Sequence, residues 1–165
     1  MSGVADGERA TETYRTNLAF AVDQCRSRPV SVLIEAISEA AVPGYFMSTL
    51  DKAVAAADAV APTEIRLIVD TFHAAVTGVD LTTFVPANID RIGHIHIADH
   101  PGRHEPGTGS LDFEALLGLL VSSGYKNAIG FEYIPSAATE RTIAWLPAWK
   151  DLLRAQRQTA RPQSV

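Results

Sequence analysis

The chain alternates four short apolar runs, rich in β-branched residues, with stretches of helical spacing. That alternation constrains its fold more than any other feature. The runs are "PVSVLIEAI" (29–37), "EIRLIVDTFH" (64–73), "GHIHIAD" (93–99) and "NAIGFEY" (127–133). Between them, "STLDKAVAAADAV" (48–60) reads as a helix with Ser48 as its N-cap. "LTTFVPANIDRI" (81–92) is a weaker helix, and "LDFEALLGLLVSSG" (111–124) an amphipathic one closed by Gly124. A helix over 7–28, with Tyr14, Leu18, Ala21 and Val22 on one face, precedes the first strand. Another over 139–158, interrupted by Pro147, follows the last. Strands joined through helices pair in parallel, because a parallel connection needs a crossover. The fold class is therefore α/β, either an open doubly wound sheet or part of a (β/α)8 barrel. No GxGxxG follows any strand and no Walker lysine loop is present, which weakens the nucleotide-binding version.

The elements fit one domain over 1–158, followed by a disordered tail over 159–165. A net charge of −5 argues against a nucleic-acid partner, which calls for clustered Lys and Arg. No apolar run is long enough for a membrane span, and the polar start "MSGVADGERATE" is no signal or transit peptide. Cys25 is the single cysteine, so an internal disulfide is excluded and a reducing, cytoplasmic location is expected.

Each strand carries a chemically capable residue near its C-terminal end: Glu35, Asp70, His96 and Glu132. Their separations of 35, 26 and 36 residues are each about one strand–helix unit. In a parallel barrel all strand C-termini reach the same rim, so the four side chains converge. Three carboxylates crowded together repel and desolvate badly without a cation. A mostly oxygen set with one imidazole suits Mn2+, Mg2+ or Co2+ better than a structural Zn2+ site. A lone strand-end glutamate is ordinarily a half-exposed carboxylate; four in one phase of consecutive strands are not ordinary. His94 points the same way as His96 but one layer deeper, where a hydrogen-bonded core role is expected.

Beyond His96 runs "HPGRHEPGTG" (100–109), with Arg103, His104 and Glu105 among glycines that permit tight backbone paths. Such residues are commonly just solvated. On a functional rim, Arg103 would suit an anionic or polyhydroxy substrate. For Tyr45 and Phe46, after "VPG", the alternatives are packing on a neighbouring helix and a flap over the metal.

At these positions the sequence resembles the xylose-isomerase-like (β/α)8 superfamily, most closely its hydroxypyruvate-isomerase branch. "LIEAI…VPGYF", "DTFH", "GHIHIADHPGRHEPGTG" and "GFEY" carry the likeness from about Thr11 to about Trp145. The resemblance implies that Glu35, Asp70, His96 and Glu132 ligate a divalent metal, and that Glu35 and Glu132 exchange protons with the substrate. It also implies that His73 and Arg103 bind or polarise that substrate, with His104 and Glu105 further candidates in the same loop. The chemistry is coherent: a metal on adjacent carbonyl and hydroxyl oxygens acidifies the C–H between them and stabilises an enediolate. A glutamate then moves the proton to the neighbouring carbon (isomerisation) or to the other face (epimerisation).

The sequence departs from the branch in three ways. His96 stands where the branch usually carries Gln and looks more like the sugar 3-epimerases. Ala36 replaces the usual Pro after the first glutamate. The resemblance also covers only strands five to eight of a barrel that takes about 250 residues. A half-barrel leaves two edges unpaired, so a homo-oligomer or a complementary half-barrel is expected to complete it. The expected function is a metal-dependent isomerase of a small hydroxy-carbonyl compound. The alternatives are a ketose 3-epimerase-like enzyme and a non-catalytic half-barrel that binds metal or a partner half. An endonuclease IV-like zinc enzyme is disfavoured, because Gly102 stands where that family's Asp-Arg-His loop has its aspartate.

Overall fold

The computed structural model describes residues 7–159, with side chains as far as residue 155. Four strands, β1 (Val32–Glu35), β2 (Ile65–Asp70), β3 (Ile92–Ile97) and β4 (Ile129–Phe131), form one sheet in chain order. Every pair is parallel. Helix α1 (Gly7–Cys25) precedes the sheet and α2 (Leu50–Val60) connects β1 to β2. Helices α3 (Thr71–Val76) and α4 (Leu81–Asn88), with a 3-10 turn at Ile89–Arg91, lead to β3. Helix α5 (Phe113–Ser122) links β3 to β4, and α6 (Thr139–Thr142) and α7 (Leu146–Thr159) follow. These are the expected strand–helix units, in the arrangement of a partial barrel. Of the tail expected over 159–165, only Thr159 is among the described residues, as the last residue of α7.

Alternation along the strands divides the sheet into two faces. Ile34, Ile65, Leu67, Val69, Ile92, Ile95 and Ile97 turn toward the helices and are almost wholly buried. Ala53 and Ala57 of α2 and Leu117 and Leu120 of α5 meet them, also buried. Each fully buried Ile or Leu contributes about 1.5–3 kcal/mol, so this layer dominates stability. The other face carries Leu33, Glu35, Ile68, Asp70, His96 and Gly130, most of them only half-buried. Ile92 and Ile95 both face the helices, so the chain gains a residue between them, and pairing with β2 shifts at Leu67/Ile68. That bulge brings Gly93 and His94 both onto the half-buried face. A Cβ at Gly93 would lie 2.9 Å from both Leu33 Cδ2 and Arg66 Cβ, so the strand can be close-packed there only with glycine.

Caps move several boundaries from where the sequence suggests. The cap of α2 is Thr49, not Ser48: Thr49 is extended and its Oγ1 accepts from the Lys52 N–H at 3.3 Å. The Ser48 hydroxyl instead accepts from Lys52 Nζ at 2.9 Å. The second strand ends at Asp70 rather than reaching residue 73, because the Asp70 carboxylate accepts from the His73 N–H at 3.0 Å and starts α3. Gly124, with φ 80°, stands just past α5 as the spacing predicts. Pro147 lies in the first turn of α7, where a missing N–H is harmless, and the break in the last helix falls just before it.

Candidate active site

Glu35 ends β1, Asp70 ends β2, His96 lies in β3 and Glu132 follows β4. The register pairs Asp70 with His96 and His96 with Gly130, so parallel pairing alone carries these residues to one rim. Each offers one ligand atom, and the four atoms lie within 4.8 Å of one another. His96 Nδ1 is 3.3 Å from Glu35 Oε1 and 3.5 Å from Glu132 Oε2. Asp70 is buried, while the Glu132 side chain is 54% exposed and lies on the open side of the group.

Arg103 reaches into this cluster from the loop after β3. Its Nη2 is 2.7 Å from Glu132 Oε2 and 3.4 Å from Asp70 Oδ2, and the guanidinium lies 5.7 Å from the Phe72 ring centroid. Arg103 holds φ at 58°, a left-handed conformation that this loop maintains at some cost. Its Nε is buried and has no hydrogen-bond partner among the described residues.

The donor set fits a divalent ion. Opposite ligands around Mg2+ stand about 4.2 Å apart, so the 4.8 Å spread of the cluster closes with small side-chain adjustments. Three carboxylate oxygens beside one imidazole are a donor set that divalent ions accept.

His73, in α3, is buried beside the cluster. Its Nδ1 lies 3.3 Å from the Ser38 N–H nitrogen and 3.0 Å from Ser38 Oγ. Burial holds its pKa below the ordinary histidine value, and Arg103 pushes the same way against the opposing pull of Asp70. His94 is half-buried, not a hydrogen-bonded core residue: it packs edge-on against His96, with ring centroids 4.8 Å apart. Its pKa is lowered by burial and by the neighbouring His96. Gly130 makes room for it, since a Cβ there would stand 2.7 Å from His94 Nε2.

His104 and Glu105 are engaged elsewhere. His104 Nδ1 donates to the Ile134 carbonyl at 2.7 Å. The Glu105 carboxylate is buried and accepts from both the N–H and the hydroxyl of Ser136. Phe46 packs on Tyr14 of α1 with ring centroids 5.3 Å apart and planes tilted by 39°, the packing alternative for this one of the two aromatics.

Two residues that sequence reasoning passed over are central here. Asp99 is fully buried, and its carboxylate accepts four backbone N–H bonds, from His100, Gly107, Gly109 and Leu111, at 2.8–3.1 Å. Ser38 holds His73. The signal for Asp99 was its position at the mouth of a loop rich in Gly and Pro, whose unpaired N–H groups require an acceptor. Ser38 has no comparable signature.

Residues 1–149 match the family described as xylose isomerase-like TIM barrel. The chain is 37% identical over 142 residues to the 2-oxo-tetronate isomerase of Cupriavidus necator, covering 86% of this chain and 55% of that protein. It is 29% identical over 143 residues to the hydroxypyruvate isomerase of Escherichia coli, covering 87% and 55% respectively. Among solved structures, the family 2 AP endonuclease of Brucella melitensis superposes with a TM-score of 0.85 at 30% identity, covering 90% of this chain and 57% of that one. The chain thus spans about half the length of the curated relatives it matches.

Proposed function

The chain belongs to the xylose isomerase-like TIM barrel family, and on that footing we propose that it serves a divalent-metal-dependent isomerase of small hydroxy-carbonyl compounds. The observation that carries this is the convergence of Glu35, Asp70, His96 and Glu132 within 4.8 Å on one rim. The names of the two isomerase relatives add the substrate class, a short 2-oxo acid bearing a hydroxyl group.

Glu35, Asp70, His96 and Glu132 would hold the ion, which when bound supplies Lewis acidity toward the substrate's adjacent oxygens. Glu35 and Glu132 both bring a carboxylate oxygen to His96 Nδ1, at 3.3 and 3.5 Å, and as carboxylates at the same rim they are suited to carry the proton. One takes it from the hydroxyl-bearing carbon, leaving an enediolate, and it is returned to the former carbonyl carbon. The hydroxyl proton passes between the two oxygens, so the product is the isomeric hydroxy-carbonyl compound. Arg103, beside Glu132, offers a guanidinium to the substrate carboxylate. His73 offers a ring N–H to another oxygen.

Two copies, or this chain and a complementary half, would close the free edges of β1 and β4 and cover the half-buried face. Sedimentation giving only monomers at micromolar concentration would count against that assembly. The single free Cys25 supports a reducing, cytoplasmic location.

Deuterium exchange tests the reading. Hydroxypyruvate incubated with the protein and Mn2+ in D2O is expected to gain deuterium at carbon, and to gain none with the Glu132→Gln variant. Inversion at C3 of a ketose instead would favour the epimerase reading, for which His96 speaks. Bound metal without any exchange would identify a non-catalytic half-barrel. Despite the likeness to an AP endonuclease, a chain of net charge −5 is poorly suited to a DNA backbone.

A further inference from the structure

We infer that Ser38, through its hydroxyl together with its backbone N–H, is a positioning residue that fixes His73 as the Nε2–H tautomer and so presents a hydrogen-bond donor to a substrate oxygen. A backbone N–H can only donate. The Ser38 N–H lies 3.3 Å from His73 Nδ1, so that nitrogen must offer a lone pair. A proton on Nδ1 would set N–H against N–H in a site where Ser38 and His73 are 1% and 3% exposed. The Ser38 hydroxyl, 3.0 Å from the same nitrogen, then donates as well. Two donors on Nδ1 place the single proton of the neutral ring on Nε2. The hydrogen bonds of His73 with described residues run through Nδ1, the backbone N–H and the carbonyl, none through Nε2.

The consequence is a rule of recognition. The surrounding carboxylates of Glu35, Asp70 and Glu132 only accept, and Arg103 already donates to two of them. His73 Nε2–H is thus a donor still free, and it selects a carbonyl, hydroxyl or carboxylate oxygen over an amine. A ring free to exchange tautomers would present an acceptor part of the time and lose that selection. The inference rests on the isomerase reading only for the identity of the oxygen; the tautomer stands on geometry alone.

The test is a long-range 1H–15N spectrum of the full chain labelled at its histidine rings, with the His73 signals assigned from their loss in His73→Gln. The expected result is an unprotonated Nδ1 and a protonated Nε2 in the parent and in Ser38→Thr, which keeps the hydroxyl. Ser38→Ala keeps the backbone N–H but loses the hydroxyl donor, so Nε2–H should stay the major tautomer while a minor Nδ1–H population shifts both ring nitrogens measurably from the parent. With hydroxypyruvate in the deuterium-exchange assay, it should raise KM by about two- to tenfold, the worth of one lost hydrogen bond on the ring, with a smaller change in kcat. A proton on His73 Nδ1 in the parent overturns the inference, and so does a Ser38→Ala spectrum identical to the parent's. The spectrum reads the tautomer whether or not the protein turns over, so failure of the isomerase reading is seen separately, as absent exchange.

Discussion

Replacing Asp99 by asparagine should cost a large part of what removing the side chain costs, although asparagine keeps the shape of aspartate. Asp99 Oδ1 accepts from the N–H groups of His100 at 2.8 Å and Leu111 at 3.1 Å. Oδ2 accepts from those of Gly107 at 2.9 Å and Gly109 at 2.8 Å. Asparagine turns one of those oxygens into an NH2 group, whichever way the amide is oriented. Two backbone donors then face a donor, and the other two exchange a charged acceptor for a neutral one. Hydrogen bonds to charged groups are worth about 1.5–3 kcal/mol each, so the two lost bonds alone cost about 3–6 kcal/mol. The weakening of the remaining pair adds to this.

Alanine loses all four bonds, a simple sum of about 6–12 kcal/mol that loop relaxation and entering water reduce. Against a typical total of about 5–15 kcal/mol, the alanine variant is expected to fold poorly, which makes asparagine the informative change. Urea unfolding followed by far-UV circular dichroism, at matched protein concentration, reads the effect. At an m-value of about 2 kcal/mol/M, the lower estimate moves the midpoint down by about 1.5 M. A midpoint shift below about 0.5 M, equivalent to roughly 1 kcal/mol, would refute the idea that this carboxylate holds the loop.

Gly109→Ala should be damaging for the same reason, because its Cβ would collide with the His100 carbonyl and Asp99 Oδ1; about 2–3 kcal/mol is expected from the urea midpoint. Gly107→Ala, at φ 89° but with nothing within 4 Å of its Cβ, should cost only the backbone strain of about 1–2 kcal/mol. Glu105 is held below its ordinary value of 4.5 by the Ser136 hydroxyl and N–H. A depressed carboxylate stabilises above its unfolded pKa and loses that contribution as pH falls through the folded one. Glu105→Gln should therefore be less stable than the parent at pH 7, and the two urea midpoints should converge well below pH 4.5. Asp70→Asn should keep α3, since asparagine caps as well as aspartate, yet bind Mn2+ more weakly. On the proposed metal reading, Mn2+ at a hundredfold excess over its Kd should stabilise the parent by about 2.7 kcal/mol, or roughly 5–11 °C in Tm, and the variant should show little of that rise at the same concentration.

The separation between what could be read in advance and what could not follows covalent connection. Glu35, Asp70, His96 and Glu132 were legible because each sits at a strand end and parallel pairing obliges strand ends to meet. The Gly124 stop was legible because its cause is local. The bulge at Gly93 and His94 was not, since it depends on how tightly Leu33 and Arg66 approach from neighbouring strands. Asp70 as a cap lay hidden inside an apolar strand pattern, where a carboxylate serving the next helix reads as one more strand residue. The bonds of Asp99, Glu105 and Ser38 are set by the path of the chain between elements, and apart from the adjacent His100 their partners lie 8 to 35 residues away with no periodicity to betray them.

Those loop bonds explain how a short strand can present a carboxylate at the rim. β4 spans only Ile129–Phe131, and the Glu132 side chain beyond it is 54% exposed, so the sheet gives that carboxylate little support. Support comes instead from the loop after β3. The Ile134 N–H donates to the Arg103 carbonyl at 2.6 Å, His104 donates back to the Ile134 carbonyl, and Ser136 donates to Glu105. Asp99 freezes the same loop from beneath through its four N–H bonds. The segment that carries Glu132 is thus pinned on one side by backbone bonds, while Arg103, rising from the pinning loop, reaches its carboxylate directly at 2.7 Å. A site assembled this way places the Glu132 carboxylate and the neighbouring Arg103 cation on one bonded unit, so a change that loosens the loop should displace both together.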